Sequence, residues 1–436
     1  MQQSIWNQTQ YLQSAPILEG DVKTDVLVIG GGMAGLLCAH RLRELGVNCL
    51  VLEADRIARG VTAGTTAKIT SQHGWCYHKL LRDSGWHRAR DYFRANQAAL
   101  EELCRLGAHI PCDLEREDNY IYATDQPETL ETELEALSRL GIPGEYVAEL
   151  DLPLPTAGAV CFRNQARFHP LKFLGGLVPG LEIREHSRVL KIQGNQAFTA
   201  RGCVTAEKIL VATHFPIVNR HGLYFMKQYQ DRSYVLALEG AGRVNGMYLD
   251  GSGQGFSFRM QADQLLLGGS SHRTGKSSGG WAPLSSFAQA HYPGARETAR
   301  WAAQDCMTLD GIPYIGRYSP HTPNLYVATG FNKWGMTGSM LAAMVLGDLL
   351  LGKKSPWEEL TAPHRRVLRP QLALNAWESA VNLLTPSRPR CPHMGCALKW
   401  NPWEHSWDCP CHGSRFSDSG GILESPATKP MEKDRQ

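Results

Sequence analysis

The sequence has no run of about eighteen or more apolar residues, so no transmembrane helix is expected. It also lacks a charge imbalance. Forty-five Lys and Arg stand against 42 Asp and Glu, a net of +3, and neither a nucleic-acid nor a membrane-surface partner is implied. The opening Met1-Gln-Gln-Ser-Ile-Trp6 has no basic segment, apolar core or twin arginine, so no signal peptide is expected and the chain reads as cytoplasmic. There is no internal repeat and no low-complexity tract. Cysteine is not scarce, with 12 residues, but eight of these sit singly in hydrophobic sequence, as buried free cysteines do. That placement excludes a secreted disulfide scaffold. At 436 residues and 43% hydrophobic, the chain has room for two or three domains with large cores.

The other four cysteines cluster with two histidines near the C-terminus, in Cys391-Pro-His393-Met-Gly-Cys396 and Cys409-Pro-Cys411-His412-Gly-Ser414. Thiolates suit ferric iron, and neutral imidazoles leave their iron easier to reduce. Two of each form the ligand set of a Rieske [2Fe–2S] centre, with Cys391 and Cys409 on one iron and His393 and His412 on the other. Structural zinc is the alternative, but its ligands come as close pairs such as Cys-x2-Cys, without two surplus cysteines. The stretch resembles the Rieske family through Cys-x-His-x2-Cys, Cys-Pro-x-His-Gly-Ser, and Gly420-Gly421 with Ser425-Pro426-Ala427 as a covering proline loop. The resemblance implies that Ser414 hydrogen-bonds a cluster sulfur. High-potential members carry a Tyr where this chain has Phe416, so a middling potential is expected. Cys396 and Cys411, one in each loop, are candidates for a disulfide stapling the two.

At the other end, Asp25-Val-Leu-Val-Ile-Gly30 is a short apolar run suited to a buried parallel strand. Gly30-Gly31-Gly32-Met33-Ala34-Gly35 follows, then a helical pattern over Leu36–Leu45, a stop at Gly46, and a second strand over Asn48–Glu53. A G-x-G-x-x-G between strand and helix lets the backbone approach a pyrophosphate at the helix N-terminus. Glu53 ends the second strand at the distance that reaches a ribose hydroxyl.

NAD and FAD both fit that unit, and the next segments separate them. Arg59-Gly60-Val-Thr-Ala-Gly-Thr65-Thr66-Ala-Lys68 resembles the second fingerprint of FAD enzymes of the glycine and D-amino-acid oxidase superfamily. Further matches follow in order: Phe168-His169-Pro170 opening a helix, Arg188-Val189 in a strand, Ile209–His214, Asp310-Gly311-Ile-Pro, and Val327–Gly338. The last is a strand running into a Gly-rich helix start whose dipole would face the flavin's electron-rich edge. The residues the resemblance sets against FAD are Gly30, Gly32, Met33, Ala34, Gly35, Glu53, Ala54, Arg59, Gly60, Thr65, Thr66, Val189, Ala212, Thr213, Gly311, Gly330, Gly335, Met336 and Thr337.

The fold class expected is α/β: a Rossmann-like FAD-binding domain (20–80, 155–220 and 300–352) with an inserted antiparallel-sheet substrate domain (81–154 and 221–299). A linker (353–385) and a minimal β Rieske module (386–436) complete it. Residues 1–20 read as an extended arm. Fewer than forty residues separate the last flavin helix from Cys391, so the module cannot bury an adequate core alone and is expected to pack on the flavin domain. The implied chemistry is hydride transfer from a small amine or amino-acid-like substrate to flavin, with electrons leaving singly through the cluster to a redox partner such as a ferredoxin. Catalytic candidates are Lys68, after the Thr-rich loop, and Arg259 and His272, at strand ends of the substrate sheet, where they would bind a carboxylate or shuttle a proton. Both also suit a hairpin surface. His73 suits satisfied polar packing. Two other classes stay open: a reductase fed by a ferredoxin, and a redox-responsive binding protein with inert cofactors.

Overall fold

In the computed structural model the residues described are 3–432, apart from 11, 126, 219–220, 254, 366–368 and 388. The run at Val22–Ile29 forms the central strand of the first sheet, its last four residues buried. Cys203–Val211 and Cys49–Leu52 flank it in parallel, with Leu27 opposite both Ile209 and Leu50. Leu325–Thr329 adds in parallel beyond the former, and Glu182–Arg184 beyond the latter. Such strands read as unbroken apolar runs because helices cover the sheet. Met33–Glu44 and Gly335–Leu350 pack together here, and the long helix Tyr77–Gly107, broken at Gly85 (φ 82°), lies on the second of them.

The second sheet is mostly antiparallel and has nine strands among the described residues. Arg296–Thr308, Gln228–Glu239 and Gln264–Arg273 form one end of it, and Glu115–Ala123, Gly158–Arg167 and Lys68–Ile69 the other. Gly158–Arg167, Lys68–Ile69 and most of Arg296–Thr308 fall in the stretches expected for the FAD-binding domain. Pairing partners far along the chain place them in the second sheet instead.

Two local expectations are corrected. Val189 lies in a loop between Glu182–Arg184 and Lys191–Gln193, not in a strand. The N-terminal arm is partly helical over Ile5–Thr9, because Trp6 is worth burying: it is fully enclosed, and its indole N–H donates to Thr65 O at 2.8 Å. Residues 1, 2 and 11 of that arm and 433–436 of the C-terminal module lie outside the described residues.

The stretch expected as a linker contains the helix Pro370–Leu384. Its polar face is turned inward, with Asn375 Nδ2 donating to Met226 O (3.1 Å) and Asn382 O accepting from Ala397 N (2.9 Å). Leu374, Trp377, Val381 and Leu384 are exposed. Four short antiparallel strands then form the module: Lys399–Asn401, Ser406–Asp408, Arg415–Ser417 and Ile422–Glu424. Its core is small: the four C-terminal cysteines with Leu398, Phe416, Ala427 and Met431. It is held to the body by ion pairs to the second sheet, where packing on the flavin domain was expected. Arg232 of the second sheet, 3% exposed, pairs with Glu404 and with Glu424 (3.0 Å), and Arg415 of the module pairs with both acids at 3.0 Å.

Burial alone would raise Glu404, but Arg232 and Arg415 outweigh it and hold this carboxyl at about 2, below its ordinary 4.5. The resulting stability is present above pH 4.5 and is lost as pH falls toward 2. Arg232→Met leaves the acids short of one cation and is expected to cost about 3–5 kcal/mol in urea unfolding at neutral pH. The gap between variant and wild type should narrow on acidification, and a constant gap would refute the assignment.

Candidate flavin and cluster sites

A cavity of about 880 Å³ opens between the C-terminal ends of the first sheet's strands and the face of the second. Two glycines of the turn at its mouth are required by packing. A Cβ on Gly30 (φ 111°) would lie 2.5 Å from Ala212 O, and one on Gly35 would lie 1.9 Å from Gly30 O. Gly32 differs: only Thr62 Oγ1, at 3.3 Å, would meet its Cβ, and the rest of that space belongs to the cavity. Glu53 sits at the rim, accepting from Gly31 N (2.7 Å) and Asp55 N (2.9 Å). Burial raises its pKa, and those backbone N–H groups oppose the shift.

Most residues expected to face FAD line this space: Gly30, Gly32, Met33, Ala34, Glu53, Ala54, Arg59, Gly60, Thr65, Thr66, Val189, Ala212, Thr213, Gly311, Gly335 and Met336. Gly35, Gly330 and Thr337 stand behind the wall. Gly330 packs on Thr308, and Thr337 Oγ1 reaches Thr70 O (3.4 Å) and His73 Nε2 (3.3 Å). Thr62, whose hydroxyl accepts from Met33 N at 3.0 Å, was not singled out by the sequence.

Of the three catalytic candidates, Lys68 alone lies on the wall. It is buried, donates to Ser257 Oγ, and is lowered to about 7 by burial and then by Arg259, with Glu117 opposing. Arg259 is neither at a hairpin surface nor in the cavity. It is fully buried, its guanidinium donates to Thr66 O (2.6 Å), Ala67 O (3.1 Å) and Met260 O (3.0 Å), and it stacks over Trp6. It braces the loop that carries Lys68. His272 turns away, stacked on Tyr234, with Nδ1 3.2 Å from Ser270 O. His73 has both ring nitrogens engaged, by Tyr92 OH (2.6 Å) and Thr70 O (2.8 Å), and lies flat on Trp334.

The sheet wall brings residues the sequence did not flag. Strand alternation turns Tyr229, Asp231 and Ser233 to the cavity, and Asp305 sits directly across from Asp231 on the neighbouring strand. Lys333 Nζ lies 3.6 Å from Asp231 and donates to Ser271 Oγ at 3.0 Å. Asp305 is pushed up to about 6 by burial, against the pull of Lys333 and with the repulsion of Asp231 and Glu424. The polar alternation is legible in Tyr229-Gln-Asp231-Arg-Ser233. The opposition of two acids 74 positions apart (305 − 231) is a matter of register, which one strand cannot reveal.

In the module the two cysteine loops have one geometry. Gly395 N donates to Cys391 O (2.8 Å) and Gly413 N to Cys409 O (2.9 Å), and both glycines have φ near +80°. Cys391 N likewise meets Cys396 O, and Cys409 N meets Ser414 O. The matching turns direct their side chains at each other. The His393 and His412 rings are 5.0 Å apart, the Sγ atoms of Cys396, Cys409 and Cys411 lie within 4.8 Å of one another, and the Cys391 thiol meets the Cys409 thiol and the Ser414 hydroxyl. All four cysteines are buried free thiols. Neither His412 ring nitrogen has a hydrogen-bond partner at bonding geometry, although the ring is 1% exposed. Such a buried, unsatisfied imidazole amid thiols fits a metal ligand. Ser414 Oγ accepts from Ala427 N at 3.0 Å, which ties down the proline loop.

These two sites define an oxidoreductase that joins a dinucleotide cavity to an iron–sulfur module. Residues 25–349 match the model of the DAO family of FAD dependent oxidoreductases, and residues 375–433 match the Rieske [2Fe-2S] domain. The chain belongs to the DAO family of FAD-dependent oxidoreductases and carries a C-terminal Rieske domain; its cofactors are FAD and a [2Fe–2S] cluster. It is 32% identical to the putative Rieske 2Fe-2S iron-sulfur protein YhfW of Bacillus subtilis, over 99% of this chain and 97% of that one. It is 24% identical to gamma-glutamylputrescine oxidoreductase of Escherichia coli, over 77% and 85%. Glycine oxidase from Geobacillus kaustophilus shares the fold with a TM-score of 0.66 at 19% identity, over 80% of this chain and all of that one. No helix among the described residues is long and apolar enough to cross a membrane.

Two substitutions test the site. Gly32→Val, whose Cβ would meet only Thr62 Oγ1 at 3.3 Å, should fill the pyrophosphate space and abolish flavin absorbance while the cluster's EPR signal persists; normal flavin content would remove the fingerprint. Phe416, fully buried beside the cysteines, should on change to Tyr raise the cluster's midpoint potential in an EPR-monitored titration. An unchanged potential would mean that the ring does not face the sulfurs.

Proposed function

We propose that the protein oxidises an amine at the flavin and passes the electrons singly through the cluster to an external carrier such as a ferredoxin. The observation that carries this reading is the sheet wall. Asp231, Asp305 and three serines (Ser233, Ser257, Ser271) face the cavity, and the strands of that wall contribute no arginine among the described residues lining it. A substrate carboxylate would find no bidentate partner there, whereas an ammonium group would find two carboxylates. Asp305 holds that ammonium. Lys68, brought near neutrality by burial, takes its proton so that the amine can release hydride. FAD supplies a two-electron acceptor and the [2Fe–2S] centre a one-electron carrier. Cys391, Cys409, His393 and His412 hold the cluster, and Cys396 and Cys411 support its two loops. His393 is the more exposed imidazole and gives the carrier its access. Similarity to gamma-glutamylputrescine oxidoreductase supports an amine substrate.

Anaerobic mixing with a series of primary amines should bleach the flavin, followed by the reduced mixed-ligand [2Fe–2S] EPR signal. Matched α-amino acids should be poor donors. Asp305→Asn should lower kcat/KM for the amine by about 1.5–3 kcal/mol, roughly tenfold or more. Zinc in place of iron would refute the electron chain, and reduction by amino acids alone would refute the amine.

A further inference from the structure

The strand Gln228–Glu239 has two working faces. Tyr229, Asp231 and Ser233 look into the cavity, while Gln230 and Arg232 look at the module. Gln230 is the point where the two sides touch. Its Nε2 donates to His412 O at 2.8 Å, and its Oε1 accepts from His214 Nε2 (3.2 Å) and Gln304 Nε2 (2.7 Å). Gln304 in turn donates to Gly413 O at 2.8 Å, and its own oxygen is taken by Thr274 Oγ1 at 2.9 Å. The approach is so close that a Cβ on Gly413 would lie 2.7 Å from Gln230 Cδ. His214 lines the cavity, and its ring is the far end of this bridge. At the near end the His412 ring is sealed between Phe215 and Phe225, with centroids at 6.1 and 6.0 Å.

From this geometry we infer that Gln230, fixed by Gln304, is the residue that couples the flavin cavity to the cluster, and that His412 is the cluster's entry side. The inference rests on the electron chain proposed above. Each passage moves one electron: the reduced flavin loses it, one ferric iron of the cluster becomes ferrous, and no bond of the protein forms or breaks. The electron crosses a single sheet layer along a hydrogen-bonded contact that runs from the cavity wall to a ligand's own backbone. A second approach exists. Ser425 of the module also lines the cavity, and Ala427 N reaches Ser414 Oγ, beside the Cys391 thiol.

The test uses the anaerobic holoprotein, with its flavin photoreduced by a flash and cluster reduction followed in the visible spectrum. Gln230→Leu and His214→Phe each break the bridge, the latter without touching the module, and each should slow flavin-to-cluster transfer by at least about tenfold. The cluster's EPR spectrum and midpoint potential, measured separately with dithionite and mediators, should match wild type. Wild-type rates in the variants would overturn the bridge and assign the crossing to the Ser425–Ser414 side. Slow transfer with a shifted potential would also overturn it, since driving force would then explain the rate. If Gln230→Leu loses its cluster, His214→Phe alone decides. Failure of the wild-type flavin to reduce the cluster at all would refute the electron chain itself.

Discussion

The period-two alternation of one strand is the constraint on which the rest of the molecule depends. Over residues 229–233 successive side chains point to opposite faces, so a single segment can line the flavin cavity and grip the cluster module at once. A slip of one residue would send Asp231 to the module and Arg232 into the cavity. Pairing on both sides resists such a slip. Arg296–Thr308 runs along nearly the whole strand, and Gln264–Arg273 fixes the other edge. The position of the cluster relative to the flavin is therefore a property of sheet register rather than of a flexible tether.

The module's attachment follows from its size. Four strands of three residues each bury little apolar surface, and its core is largely cysteine. Apolar burial that small cannot order fifty residues. Charge makes up the difference, but a buried ion pair gains little unless its geometry is good and its acids are shared. Here Glu404 and Glu424 each meet both Arg232 and Arg415, so each acid is satisfied from the two sides of the seam. The network fixes orientation as well as contact. Bidentate pairing does not permit the module to rotate, and the rotation it forbids would part Gln230 from His412.

The sequence disclosed the parts whose chemistry is local. The glycine turn with Glu53, the strand–helix unit at Val327–Gly338 and the two cysteine loops each lie within about thirty residues or fewer, and their turn and ligand chemistry is written in consecutive residues. Arg259 and His272 show the opposite case. Each sits at a strand position whose facing depends on partners elsewhere, and an arginine near a cavity looks the same in sequence whether it binds substrate or braces a loop. Asp305 and Gln230 were invisible for the same reason: an acid and an amide in ordinary strands become a site only when strands some seventy residues apart come together. Even Trp6, in an arm that reads as irregular, earns its helix only because Thr65 O and Arg259 wait for it.

The two glycine-dependent contacts of the seam make the same point about why a flavin domain and a cluster module share one chain. Gly413 admits Gln230, and Gly275 (φ 77°) admits Pro410, where a Cβ would come within 2.7 Å of the proline nitrogen. One contact sets the loop backbone against a side chain and the other against backbone, and both involve the second cysteine loop rather than the first. The first loop, with His393 partly exposed and Met394 beside it in solvent, makes no such contact among the described residues. The two imidazoles are thus placed asymmetrically, one sealed and the other partly exposed. On the electron chain proposed above, a carrier that bound only the outer loop would leave the inner contact undisturbed. Covalent fusion would then remove the need for a second docking event, since the donor side would already be in register.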